Sequence, residues 1–204
     1  MKQIILSLVL LSFSICAFSQ SDEINISAAF SQSIELKIIG DANVNFVFAT
    51  ISQYQNGYNT YDDSKNAVHF QVASSTNFQV DFSHTAFTDG AGNTLDSRYF
   101  YYRVTHGGDV QEVGKRFIFS EGHLDNPSGN MGPAHVLDNT TRTTLEPGPS
   151  GNAGRFEDNY FIIRFGCGNS TMREVTGLPS LLDANITPGT YTATLTVTAV
   201  PVIL

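Results

Sequence analysis

"TPGTYTATLTVTAV", residues 187–200, decides the fold. Tyr191, Ala193, Leu195, Val197 and Ala199 fall on one side of a two-residue period, and Thr192, Thr194, Thr196 and Thr198 fall on the other. Successive side chains of a strand point to opposite faces. One face of this stretch is therefore apolar and the other is a ladder of hydroxyls. Threonine is β-branched and suits a pleated surface with one wet side. Pro188-Gly189 ahead of it offers one fixed and one permissive backbone position, as a turn requires. The stretch reads as a half-buried strand of an antiparallel sheet.

The same alternation recurs upstream. "SIELKII" (33–39), "NVNFVFA" (43–49), "AVHFQVA" (67–73), "NFQVDFS" (77–83), "YFYYRV" (99–104), "KRFIFS" (115–120) and "YFIIRF" (160–165) are each separated by Gly, Asn, Asp and Ser clusters. With 190–200 they give about eight strands. No window shows a sustained helical period beyond the first residues, and "LPSLLDA" (178–184) offers one short helical turn at most. Two such sheets bury both apolar faces by packing face to face. The expectation is an all-β, antiparallel, immunoglobulin-like β-sandwich, with a closed barrel as the alternative. Phe46, Phe78, Phe82 and Leu195 are expected in the core, which 15 Phe and no Trp make rich in phenyl contacts. Residues 121–159 break the rhythm with four of the seven prolines and six glycines, and read as a long loop with a short strand near 134–138.

The first residues set the compartment. A basic start at Lys2, an apolar run over 4–18 without an acidic residue and the small residues around Ala17 and Ser19 are the parts of a secretory signal peptide. The run falls short of the ~20 apolar residues of a membrane span. The expected organisation is a signal peptide over 1–19 and a single β-sandwich domain over 20–204, exported to the periplasm, the cell surface or the medium. No second apolar run of spanning length follows. The chain carries 11 basic and 19 acidic residues, net −8, and loss of Lys2 deepens that charge. Such a surface disfavours nucleic acid and anionic lipid. Of two cysteines, Cys16 leaves with the signal, so Cys167 is left without an intramolecular partner.

Motifs of catalysis are missing. There is no G-x-S-x-G elbow, no H-E-x-x-H helix and no phosphate loop. No catalytic, cofactor-binding or metal residue is assigned, and no cofactor is expected. Cys167 in "GCGN" has no local base and reads as a half-buried residue at a strand end. His106, His123 and His135 are followed closely by Asp109, Asp125 and Asp138, a ligand chemistry set in ordinary polar loops. "TDGAGNTLD" (88–96) has the oxygen-rich look of a calcium loop but not EF-hand spacing, and reads as a hairpin loop. His69 and His84 read as ordinary strand positions.

"LKIIGDANVNFVF", "NGY" (56–58), "VASSTNFQVDF" (72–82) and "LPSLLDANITPGTYTATLTVTA", in that order behind a signal peptide, resemble a diffuse group of bacterial secreted β-sandwich domains akin to spore-coat U and fimbrial-type subunits. The resemblance implies a surface or fibre-related role and carries no active site. The expected function is a non-enzymatic surface protein, structural or adhesive. "DEINISAAF" (22–30) alternates Ile24, Ile26, Ala28 and Phe30. This arm, residues 20–30, is either the first strand of its own sandwich or a strand that pairs with a second copy or another surface protein. The alternative is a secreted carbohydrate-binding module using Tyr54, Tyr58, Tyr61, Tyr99, Tyr101 and Tyr102 against a glycan.

Overall fold

The alternating stretches become strands because each finds a partner for its backbone and a common interior for its apolar side. The computed structural model describes residues 31–59, 66–107, 116–119, 135–137 and 140–202; the expected signal peptide over 1–19, the 20–30 arm, Tyr61, Asp109, His123, Asp125 and Asp138 lie outside them. In chain order the elements are β1 (Ile34–Ile39), α1 (Ile51–Asn56), β2 (Ala67–Ser74), β3 (Phe78–His84), β4 (Phe87–Thr88), β5 (Thr94–Leu95), β6 (Phe100–His106), β7 (Phe117–Phe119), β8 (His135–Val136), β9 (Arg142–Pro147), β10 (Tyr160–Cys167), α2 (Ser170–Thr176) and β11 (Leu195–Pro201). A single 3-10 turn, Ser97–Tyr99, leads into β6.

One sheet has the order β1-β2-β10-β6-β8 and the other β11-β3-β9-β7; β4 and β5 form a separate hairpin. Every strand pair is antiparallel. The chain changes sheet between β2 and β3 within three residues and goes on alternating from β6 to β11. The two inner faces share one core. Phe70, Val72, Tyr102, Val104, Phe161 and Ile163 come from the first sheet, and Phe78, Val80, Phe82, Phe117 and Leu145 from the second. Rings meet across the gap: Phe82 stacks on Tyr102 at 4.9 Å, and Phe117 sits edge-on to Phe161 at 5.1 Å. Each large side chain so buried stabilises the fold by about 1.5–3 kcal/mol. The fold is thus all-β, of two antiparallel sheets around a phenyl-rich interior.

Three regions depart from expectation. Residues 43–49 keep the inside-outside rhythm but join no ladder. Phe46 and Phe48 pack instead on Tyr54, Tyr58 and Phe100 in a second cluster that also holds Tyr99, Cys167 and Leu181. Phe46 is therefore half-buried outside the main core, while Phe78 and Phe82 are in it and Leu195 packs against its edge. Two short helices form where none was expected. Thr50 and Gln53 make a reciprocal capping box for α1, and Asn169 caps the first turn of α2 with Gly177 closing it in the left-handed region.

The span 121–159 is not one loop. It contains β8, near the expected short strand, and all of β9. β9 has little apolar content; it holds because Leu145 enters the core and the buried Thr144 hydroxyl hydrogen-bonds the Tyr102 hydroxyl at 2.8 Å. Beyond it, buried Asn152 grips the backbone of Phe78 from both sides, accepting its N–H at 2.9 Å and donating to its carbonyl at 2.8 Å. Asn159 donates to the Val72 carbonyl at 3.0 Å. These amides do for the loop what a ladder does for a strand.

A candidate binding seam between two strand edges

Hydrogen-bond parity along β11 fixes what its outer side presents. Thr85 donates to the Thr194 carbonyl at 3.0 Å and Val202 donates to the Asn77 carbonyl at 2.7 Å. In an antiparallel pair, bonded and non-bonded positions alternate. Through the register Leu195↔His84 to Pro201↔Phe78, the even-numbered residues of β11 bond to β3. Leu195, Val197 and Ala199 therefore turn their backbone N–H and C=O away from β3. Among the described residues no strand lies on that side. Pro201 shares this parity, so its missing N–H costs no ladder bond.

β1 mirrors this arrangement. Ser75 donates to the Ser33 carbonyl at 2.9 Å, and the register Ile34↔Ser74 to Ile39↔His69 carries the parity onward. Ile34, Leu36 and Ile38 thus direct their backbone groups outward. On both edges the residues with outward backbone lie on the core side of their strand, although Ile38, near the end of β1, is 38% exposed. Ile34, Leu36, Leu195, Val197 and Ala199 pack against the core but stay only half-buried. The two edges bound a seam with apolar walls and two rows of backbone groups that join no ladder among the described residues. On the opposite face of β11 the threonine ladder is exposed, as expected of a wet side, although the regular ladder begins at Leu195 and Thr192 makes only an isolated bridge to Thr88.

The other positions weighed from the sequence go elsewhere. Cys167 ends β10 fully buried, deeper than expected, and burial pushes its thiol well above the ordinary range. Its backbone exchanges hydrogen bonds with Tyr58, and a side chain at Gly57 would overlap the Cys167 carbonyl and Gly168, which accounts for the glycine in "NGY". His106 is buried between Phe117 and Phe161 with Nε2 3.2 Å from the Asp158 carbonyl oxygen. His135 is buried and stacked on Tyr102. His84 contacts the Phe87 ring, and His69 hydrogen-bonds the Tyr160 hydroxyl. Residues 88–96 form the β4–β5 hairpin. The Asp89 carboxylate accepts from the Asn93 side chain, which does most to lower its pKa, and from the N–H groups of Asn93 and Ala91. Among the described residues no three His, Cys, Asp or Glu converge as a metal site.

Tyr99, Tyr101 and Tyr102 are buried, and Tyr54 and Tyr58 are half-buried against Phe46 and Phe48. These five of the tyrosines expected to face a glycan are therefore at least half-buried. A groove of about 330 Å³ lies between α1 and residues 181–188, and its lining, which includes Ile51, Leu182 and Ile186, holds no acid, amine or thiol. No described helix is long and apolar enough to cross a membrane. The seam escaped sequence reading because it depends on which strands become edges. The signals that could have indicated it are Pro201 and the exposed Lys37, both residue types that guard open edges. No protein-family model matches the chain, and no curated protein matches it in sequence.

Proposed function

We propose that the chain is an exported, non-enzymatic surface protein, structural or adhesive, whose copies join by strand addition at the seam between β1 and β11. The observation that carries this reading is the coincidence, on both edges, of outward backbone groups with half-buried inward side chains. An added strand with alternating apolar residues would satisfy both at once. The 20–30 arm has that pattern in Ile24, Ile26, Ala28 and Phe30.

The finer fold assignment supports the same reading. The order β1-β2-β10-β6 corresponds to strands A-B-E-D of an immunoglobulin-like sandwich, and β11-β3-β9-β7 to F-C-C′-C″. Strand G would flank β11, and it has no counterpart among the described residues. The chain order is not that of an antibody domain, since β6 precedes β7 and β9, so the likeness is one of spatial arrangement. The test is sedimentation of the exported protein with and without residues 20–30. Oligomers that dissociate on removal of the arm support the proposal. A monomer in both forms overturns it.

A further inference from the structure

The outer face of the first sheet is the second unusual surface. The register sets Lys37, Gln71 and Tyr160 in one row, Ile39, His69, Ile162 and Thr105 in the next, and Ala67, Arg164 and Arg103 in a third. Among the described residues α2 lies at the far end of this face, where Tyr101, Val136 and Met172 cluster, and on the β6 side Arg103 and Thr105 are buried. The three rows therefore bring together three cations of an acidic chain. Glu35, at the margin, is the one acid on the outward side of β1. Arg103 is buried and already engaged. Lys37 is exposed, and Arg164 is half-buried with Nη1 donating to the Thr105 hydroxyl at 2.8 Å. The one ion pair among the described residues, Arg98–Asp96, is on another part of the chain.

Tyr160 is half-buried on this face. Its hydroxyl hydrogen-bonds His69, and the Cδ1–Cε1 edge of its ring lies so close to Gly107 that a β-carbon there would overlap it. Strand rise and spacing put the Lys37 and Arg164 Cα atoms about 16 Å apart, with Tyr160, Gln71 and His69 around the line between them.

We infer that this face binds an anionic polysaccharide, with Arg164 and Lys37 on its carboxylate or sulfate groups and Tyr160 under a sugar ring. Each chemical demand of such a ligand has a matching group. A guanidinium presents parallel N–H donors to a carboxylate or sulfate. An ammonium supplies a second, adaptable charge. An aromatic ring can lie against the apolar side of a sugar, and the Gln71 amide can both donate to and accept from hydroxyls. The inference is independent of strand addition: removal of residues 20–30 should leave the glycan affinity unchanged.

The test is calorimetric titration of the exported protein with polygalacturonate, dextran sulfate and neutral dextran. Binding to one or both anionic polymers, weakening as salt rises, and none to neutral dextran is the expected result. The two polymers separate carboxylate from sulfate recognition. Lys37→Gln and Arg164→Gln should each weaken binding by about tenfold or more, the cost of a lost charge-assisted contact. Lys37 is exposed, so its variant folds even if the Arg164 variant does not, and thermal melting reports which has happened. No binding to either anionic polymer overturns the proposal, as does equal binding to dextran or an unchanged affinity in Lys37→Gln. A glycan-free rise in mass by sedimentation that the same substitutions abolish would assign the face to the acidic surface of a second copy and would likewise overturn it.

Discussion

Phe82 and Val197 are register partners on adjacent strands, β3 and β11, and both side chains point to the interior. Phe82 is 2% exposed, whereas Val197 is half-buried. The difference is one strand's width. Phe82 has a ladder on both sides and Tyr102 stacked above it, while Val197 has β3 on one side and the seam on the other. The same alternating pattern therefore yields a sealed core in one place and a half-buried edge in the next. Edges of this kind invite pairing with another chain, and the fold guards them only lightly, with Lys37 and Pro201.

The largest effect should come from the sealed side of this comparison. Phe78→Ala, at a fully buried position, should cost about 3–5 kcal/mol through the cavity it leaves. Urea denaturation measures this, and a loss under about 1 kcal/mol would mean that the centre is no better packed than the seam. Proline placed on β11 probes the boundary itself. Thr196→Pro removes an N–H bonded to β3 and should destabilise the sheet severely. Val197→Pro removes an N–H that faces the seam and should cost the isolated fold much less, while abolishing oligomers formed by strand addition. Equal thermal destabilisation by the two would break the parity assigned to β11.

A smaller effect concerns the second cluster. Cys167 is buried and its thiol pKa is raised by desolvation. The folded state therefore retains a proton that the unfolded state loses above the ordinary thiol value of 9.0, and stability should fall as pH rises beyond that value. A disulfide reagent at pH 8 should leave Cys167 untouched in the native protein and react in urea; fast labelling of the folded form would show that the cluster opens. The smallest effect is expected at the wet side of β11. Thr194→Ser with Thr196→Ser keeps both hydroxyls and loses two methyls, and should change stability by less than about 1 kcal/mol. If the double variant folds normally but loses adhesion, the ladder rather than the seam is the binding surface.

The strands were legible wherever a two-residue period met turn residues, because an alternating stretch can satisfy a half-buried sheet and little else. Residues 67–73, 77–83 and 160–165 are the clearest cases. The short helices were also written locally, in Thr50-x-x-Gln53 and in Asn169 with Gly177, but a single capped turn carries too little periodicity to stand out. β9 was hidden because a Thr-rich strand shows its burial only through a partner, here Tyr102. Residues 43–49 failed in the other direction: their pattern fits a strand, yet no open ladder reached them and aromatic contacts took their place.

By itself the sequence determined the all-β class, the inward faces of most strands and the absence of familiar catalytic motifs, since each of these depends on neighbours a few residues apart. Only the tertiary structure decided that β1 and β11 are edges, that their backbone groups point outward, and that Lys37, Tyr160 and Arg164 share one face. Those facts rest on pairing between residues far apart in the chain, as in Lys37 with Gln71, Gln71 with Tyr160 and Phe78 with Pro201. Sheet order, unlike strand period, is set by how the whole chain closes its core.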